Sequence, residues 1–265
     1  MGKTALGKKR NRNRDYDNEN LKQHNNENQL KGLNSFKPND KQRHVNNLLT
    51  EYPLVFVQGF AGTGKTSGIL HHYCQEYLQD KSKKIIVIRT PVEAGADKIG
   101  ALPGGEGDKL EPHFAAPAEE LKKFLGNKFE ADKDKRIFFK IPNYAIGATW
   151  HDSLILIDEA QQIQPAILKL LLERLGENTV CAVVGDPTQL YTSDKNKRNG
   201  LSHAMDKFFI QRDLHGRVEY EPRSNMVASF AYEAKDNVRS DISREVVRIY
   251  SEWLCINTVR KQGDT

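Results

Sequence analysis

The stretch "LVFVQGFAGTGKTS", residues 54–67, decides how the chain is read. An apolar run of strand length, "LVFVQ" (54–58), enters "GFAGTGKT" (59–66), which has the spacing G-x-x-x-x-G-K-[ST]. Next comes "TSGILHHYCQEYL" (66–78), with Ile69, Leu70, Tyr73, Cys74, Tyr77 and Leu78 on one helical face. Strand, glycine-rich turn and helix in that order make a phosphate cradle. Gly59, Gly62 and Gly64 let the backbone curl around Thr63 so that N–H groups face phosphate oxygens. The helix adds the positive end of its dipole. Lys65 would reach β- and γ-phosphates, and the Thr66 hydroxyl would ligate Mg²⁺. The bland alternative, a glycine turn with a chance lysine, does not account for the strand before it and the helix after it.

Two further strand ends belong with that loop. "SLILID" (153–158) is a buried strand closing on Asp158 and Glu159. A carboxylate at the end of a neighbouring strand is what an NTPase uses to hold the magnesium shell, which suits Asp158. Glu159 is placed to orient or deprotonate an attacking water. "TVCAVVG" (179–185) leads into "DPTQL", which would set Asp186 and Gln189 beside the γ-phosphate at the carboxyl edge of the sheet. The alternatives are acids in solvated loops and an Asp-Pro turn leaving a strand.

The rest of the pattern sets the fold class. "KIIVIR" (84–89) and "RIFFKI" (136–141) read as further strands. "APAEELKKFL" (116–125) reads as a short helix in a Gly-, Pro- and charge-rich stretch from 91 to 135. "PAILKLLLERLG" (165–176) has Pro at its start and Gly at its end, as a helix should. "KPNDKQRHVNNLL" (37–49) suggests a helix opened by Pro38 or Asn39. "RVEYE" (217–221) reads as a strand and "SREVVRIYSEWL" (243–254) as an amphipathic helix. Such alternation predicts an α/β fold, a mainly parallel sheet with helices on both faces.

Taken together, "GFAGTGKT", "LILIDEAQQ" and "VVGDPTQL" resemble a RecA-like P-loop NTPase related to superfamily 1 helicases. More closely, the chain resembles the PhoH family. "RTPVEAGADKIGALPGG" (89–105), "GATWHDSLILIDEAQ" (147–161) and the Asn-Gly-Leu at 199–201 follow that family's pattern. The resemblance spans roughly residues 38–250 and implies a single ATPase domain acting with ATP and Mg²⁺, helicase-like, on RNA or single-stranded DNA. It implies that Gln42 reads the adenine edge. It further implies that Arg89, Glu93 and Lys98 contact nucleic acid or brace the site. Arg248, with Arg244 one turn before it, would reach a γ-phosphate in the same or a neighbouring subunit. The chain departs from the family at Ile146 and Ala148, where arginines often flank the glycine.

Composition bounds the remaining classes. The net charge is +5, yet residues 1–14 carry six cationic side chains and no acid, so the rest of the chain sums to −1. Residues 1–37 are Asn-, Lys- and Arg-rich and are expected to be a disordered tail, with a domain over 38–255 and a C-terminal tail at 256–265. A basic arm of this kind suits phosphate backbones, or else simply aids solubility. There is no run of about eighteen apolar residues, hence no membrane partner is expected. Three scattered cysteines, Cys74, Cys181 and Cys255, suggest a cytoplasmic chain without disulfides or a zinc site. About 75 residues follow "GDPTQL", fewer than a second core of ordinary size needs. Either an arginine finger therefore comes in trans from an identical subunit, the favoured expectation being a homo-oligomeric ring, or hydrolysis is slow. The competing reading is an ATP-dependent switch for a protein partner, which the near-neutral body suits. A kinase fits less well, since it has no use for a water-positioning glutamine.

Overall fold

In the computed structural model, which describes residues 30–91, 106–189, 199–214 and 217–262, the apolar runs become one parallel sheet. Its strands are β1 (Leu54–Gly59), β2 (Lys84–Arg89), β3 (Ile137–Lys140), β4 (Ser153–Asp158), β5 (Val180–Gly185) and β8 (Val227–Tyr232). They lie in the order β3-β2-β4-β5-β1-β8, with every neighbouring pair parallel. A parallel sheet needs crossovers, and these place helices on both faces. On one face, Val55, Val57, Leu154 and Leu156 pack against α2 (Asp40–Glu51), α3 (Lys65–Gln79) and α4 (Glu106–Leu125). On the other, Phe56, Ile155, Ile157 and Val183 pack against α7 (Pro165–Leu172) and α8 (Gly200–Phe208). Alternate residues of one strand therefore enter different cores, which is why "LILI" is apolar throughout rather than every second position.

Smaller elements complete the chain. These are α1 (Lys31–Ser35), α5 (Asn127–Asp132), α6 (Pro142–Ala145), an antiparallel ribbon of β6 (Phe209–Leu214) and β7 (Arg217–Pro222), and α9 (Asp241–Gln262). Asn39 caps α2 in a reciprocal box with Gln42, so of the two expected starting residues Asn39 is the one used.

Several sequence boundaries move. Within the stretch expected as a tail, Lys31–Ser35 is helical, Leu33 is buried and Phe36 packs against the core. Residues 1–29 lie outside the described residues. The expected C-terminal tail from 256 is helical to Gln262 as part of α9. The short helix expected at 116–125 is the end of a longer one that begins at Glu106. Pro112 and Pro117 lie inside it, and burial of Phe114, Leu121, Phe124 and Leu125 outweighs their helix-breaking tendency. The helix at 165–176 stops at Leu172, because the chain then turns to pair Leu175 with Trp150, where Gly176 N–H donates to the Trp150 carbonyl at 2.7 Å.

Candidate active site

Because all six strands run the same way, their carboxyl ends share one edge, and the motifs meet there. Gly62 and Gly64 hold φ of 78° and 75° in the loop after β1, a region costly for residues bearing Cβ. The Thr63 hydroxyl donates to the Phe60 carbonyl at 3.0 Å and closes the turn. Lys65 opens α3, and its Nζ donates to the Gly59 and Phe60 carbonyls at 2.7 Å each. Burial pulls the Lys65 ammonium below the ordinary lysine range, against the opposing pull of Asp186, Asp158 and Glu159.

Opposite the loop, the Thr66 hydroxyl donates to Asp158 Oδ1 at 3.3 Å. Burial raises the Asp158 carboxyl, and the nearby Arg89 guanidinium opposes that rise. Arg89 stands level with Asp158 across the β2–β4 pairing and reaches both acids, at 3.6 Å to Asp158 and 3.4 Å to Glu159. Glu159 adopts a left-handed backbone, φ 53°, in the turn that leaves β4. For a residue with Cβ that conformation is sparsely populated, and it releases the strand into the short turn Ala160–Gln162.

That turn carries a residue the sequence reading missed. Gln161 is fully buried; its Nε2 donates to Glu159 Oε2 at 2.6 Å, and its Oε1 accepts the Asp186 N–H at 3.2 Å. One carboxamide thus ties the end of β4 to the end of β5. Beside it, Gln162 Nε2 donates to the Gln189 carbonyl at 2.7 Å. Asp186 Oδ1 accepts from the Thr188 N–H and hydroxyl, while its Oδ2 is buried without a partner among the described residues.

A second missed contribution comes from the segment after β8. The register Gly59↔Tyr232 lands that segment on the phosphate loop. Asn237 Nδ2 donates to the Ala61 carbonyl at 3.1 Å, and the Val238 N–H donates to the Gly62 carbonyl at 2.9 Å. Arg239 follows, its N–H held by Asn237 Oδ1 at 2.8 Å, and its side chain passes over Gly62. A cavity of about 380 Å³ collects Gly62, Gly64, Lys65, Thr66, Asp158, Glu159, Asp186, Gln189 and Arg239.

The other expected residues sit as follows. Gln42 is buried against Gly64 and Gly68; its Nε2 donates to the Gly64 carbonyl at 3.0 Å and its Oε1 accepts the Asn39 N–H. Arg248 and Arg244 lie on α9, away from the cavity; they pair with Glu245 and Asp241. Glu93 and Lys98 lie outside the described residues. The donor set fits a magnesium ion: the Thr66 hydroxyl oxygen beside Asp158, and a carboxylate oxygen at Asp186 with no partner among the described residues.

With this geometry in place, the likeness to known proteins is informative. The sequence pattern of the PhoH family, described as PhoH-like protein, matches residues 36–251. The chain belongs to the PhoH family. Protein PhoH of Escherichia coli (strain K12) is 30% identical over 220 residues, covering 80% of this chain and 57% of that protein. The PhoH-like protein of Synechocystis sp. is 30% identical over 213 residues, 79% of this chain and 60% of that one. The PhoH-like protein of Bacillus subtilis is 34% identical over 155 residues, 58% and 48% respectively. The chain thus spans about half to three-fifths of these PhoH relatives. No described helix is long and apolar enough to cross a membrane.

Proposed function

We propose that this PhoH-family chain is a Mg²⁺-dependent ATP hydrolase whose turnover responds to RNA or single-stranded DNA. The observation that carries the proposal is the convergence of Lys65, Thr66, Asp158, Glu159, Asp186, Gln189 and Arg239 on one cavity beside the loop. Phosphate oxygens entering the cradle take over Lys65 from the Gly59 and Phe60 carbonyls. Thr66, and through water Asp158, would hold Mg²⁺, which when bound neutralises charge on the phosphates. Glu159 and Gln189 orient a water in line with the γ-phosphorus. As the new P–O bond forms, the bond to the β–γ bridging oxygen breaks, ADP leaves, and Glu159 accepts the water's proton. Arg89 and Gln161 hold the two Glu159 oxygens and so aim the carboxylate. Lys65 and Arg239 place positive charge where the γ-oxygens gain negative charge.

Adenine reading by Gln42, which the family resemblance implies, would use its second amide N–H and the remaining lone pair of its carbonyl. Support for nucleic acid comes from the cationic residues 1–14. Support for association of copies comes from α9, whose Ile242, Val246, Ile249 and Tyr250 are exposed. A trans role for Arg248 needs such association.

Steady-state ATP hydrolysis with Mg²⁺, with and without single-stranded RNA or DNA, tests the proposal on the intact chain, Lys65→Ala and a chain lacking residues 1–29. Hydrolysis that rises with nucleic acid and vanishes in Lys65→Ala supports it. Hydrolysis indifferent to nucleic acid favours the alternative, a switch acting on a protein partner, and no hydrolysis in any form overturns the hydrolase and leaves a loop that at most binds nucleotide.

A further inference from the structure

The cavity continues past Thr66 and Asp158. A second chamber of about 390 Å³ adjoins it and shares Thr66, Ser67, Glu120, Asp158, Glu159 and Arg239 with it. Its far wall is α4, and from that helix Glu120 lines both chambers. Glu120 therefore brings a fourth carboxylate to the site, beside Asp158, Glu159 and Asp186.

That carboxylate differs from Asp158 and Glu159, the other acids common to both chambers. Asp158 meets Thr66 and Arg89, and Glu159 meets Arg89 and Gln161. Glu120 Oε2 is withdrawn from solvent with no hydrogen-bond partner among the described residues. Lys123, one turn on and lining the same chamber, is turned elsewhere: its Nζ lies 5.9 Å and 5.6 Å from the Phe36 and Phe124 ring centres. A buried acceptor left unpaired is kept against a free-energy cost, and so marks a place where a donor arrives. Among the described residues no three His, Cys, Asp or Glu side chains converge tightly enough to grip a metal directly. The donor that fits is water. Magnesium in a nucleotide complex keeps several waters, and each presents hydrogens that need acceptors.

We propose that Glu120 accepts a hydrogen bond from magnesium-bound water and acts as a positioning residue for the hydrated ion, from the α4 side of the site. This rests on the Mg²⁺–ATP reading above. It ties the metal to α4, so that helix as well as the sheet edge responds to nucleotide.

The test titrates Mg²⁺ into the full chain with a fluorescent N-methylanthraniloyl-ATP, starting in EDTA, for the wild type, Glu120→Gln and Glu120→Asp. The expected result has three parts. Metal-free nucleotide affinity is unchanged. The Mg²⁺ concentration at half-maximal tightening rises about tenfold in Glu120→Gln, with partial recovery in Glu120→Asp. The nucleotide-free melting temperature of Glu120→Gln is not lowered, because the substitution removes an unpaired charge. A half-point within twofold of the wild type, with binding still Mg²⁺-dependent, overturns the role of Glu120 alone. A melting temperature lowered by several degrees also overturns it, in favour of a structural role. Nucleotide binding by the wild type that ignores Mg²⁺ overturns this role and the Mg²⁺–ATP reading together.

Discussion

Replacing Gln161 by leucine removes the carboxamide that joins Glu159 to Asp186 while keeping a side chain of similar size. The bond from Nε2 to Glu159 Oε2, 2.6 Å, has a charged acceptor and belongs to the stronger class, about 1.5–3 kcal/mol. Glu159 is partly exposed, so water can replace much of that bond. The Asp186 N–H cannot be compensated in the same way. It loses Gln161 Oε1 within a buried residue, and an orphaned buried donor costs about 1–3 kcal/mol. Together these suggest about 2–4 kcal/mol of destabilisation, a fall in melting temperature of roughly 4–15 °C for a chain of this size. Function should suffer separately. Glu159 keeps only Arg89 to aim it, at 3.4 Å, and a poorly aimed base costs about a hundredfold in kcat. Since Gln161 does not line the phosphate cavity, KM for ATP should change little. Thermal melts and steady-state hydrolysis below the melting range measure the two effects. A melting temperature within 2 °C of the wild type, together with kcat within about twofold, would refute the bridge as a source of both stability and aim.

Arg239→Ala should lower kcat about a hundredfold or more, as expected for a cation serving the transition state, while stability stays within about 0.5 kcal/mol because the side chain is exposed. Arg248→Ala, measured beside it in dilute protein, should have no such effect unless copies associate. Gly32→Ala places a Cβ onto the Lys123 carbonyl oxygen and should destabilise the chain by about 1–3 kcal/mol in a melt; an unchanged melt would mean that α1 does not dock on α4. Burial holds the His71 imidazole below its ordinary value of 6.5, with Nε2 at 3.1 Å from the Leu33 carbonyl and Nδ1 buried without a partner. The unfolded chain therefore takes up this proton first. The stability from His71 is complete above its unfolded pKa and is lost as pH falls through the folded one, by at most about 1.4 kcal/mol per pH unit. Melting temperatures from pH 7.5 to 5 should drop more steeply in the wild type than in His71→Gln, and parallel curves would sink this assignment.

The strands were legible because of where they sit. "KIIVIR" and "SLILID" coincide with β2 and β4 because interior strands of a parallel sheet are buried on both faces and read as unbroken apolar runs. The edge strand β8, "VASFAY", escaped notice. It has a neighbour on one side only and mixed burial, and it follows the charged ribbon β6–β7. The helix α4 was read as half its length because proline normally marks a helix boundary, and no local rule reveals that four apolar side chains will hold it together.

The site divides in the same way. Lys65, Thr66, Asp158, Glu159, Asp186 and Gln189 were legible because each stands within a few residues of a strand end, and parallel strands bring such ends together. Gln161 carried a faint signal, as the polar residue two places beyond an acid pair, but its partner Asp186 is 25 positions away and only the β4–β5 pairing joins them. Glu120 depends on how α4 crosses beside Thr66 and Asp158 at the cavity. Arg239 is the most instructive. The family resemblance points to Arg248 on α9, although the arginine over the loop lies before that helix begins. Recognising β8 would have sufficed. A strand parallel to β1 and in register with it must end beside the loop that β1 feeds, so whatever follows residue 232 is delivered to that loop. Asn237 and Val238 then fix the segment by bonding the loop's own carbonyls, and Arg239 is the first cation after that anchorage. The position of this cation over the glycine loop is thus specified by the topology of an edge strand rather than by a motif around the arginine itself.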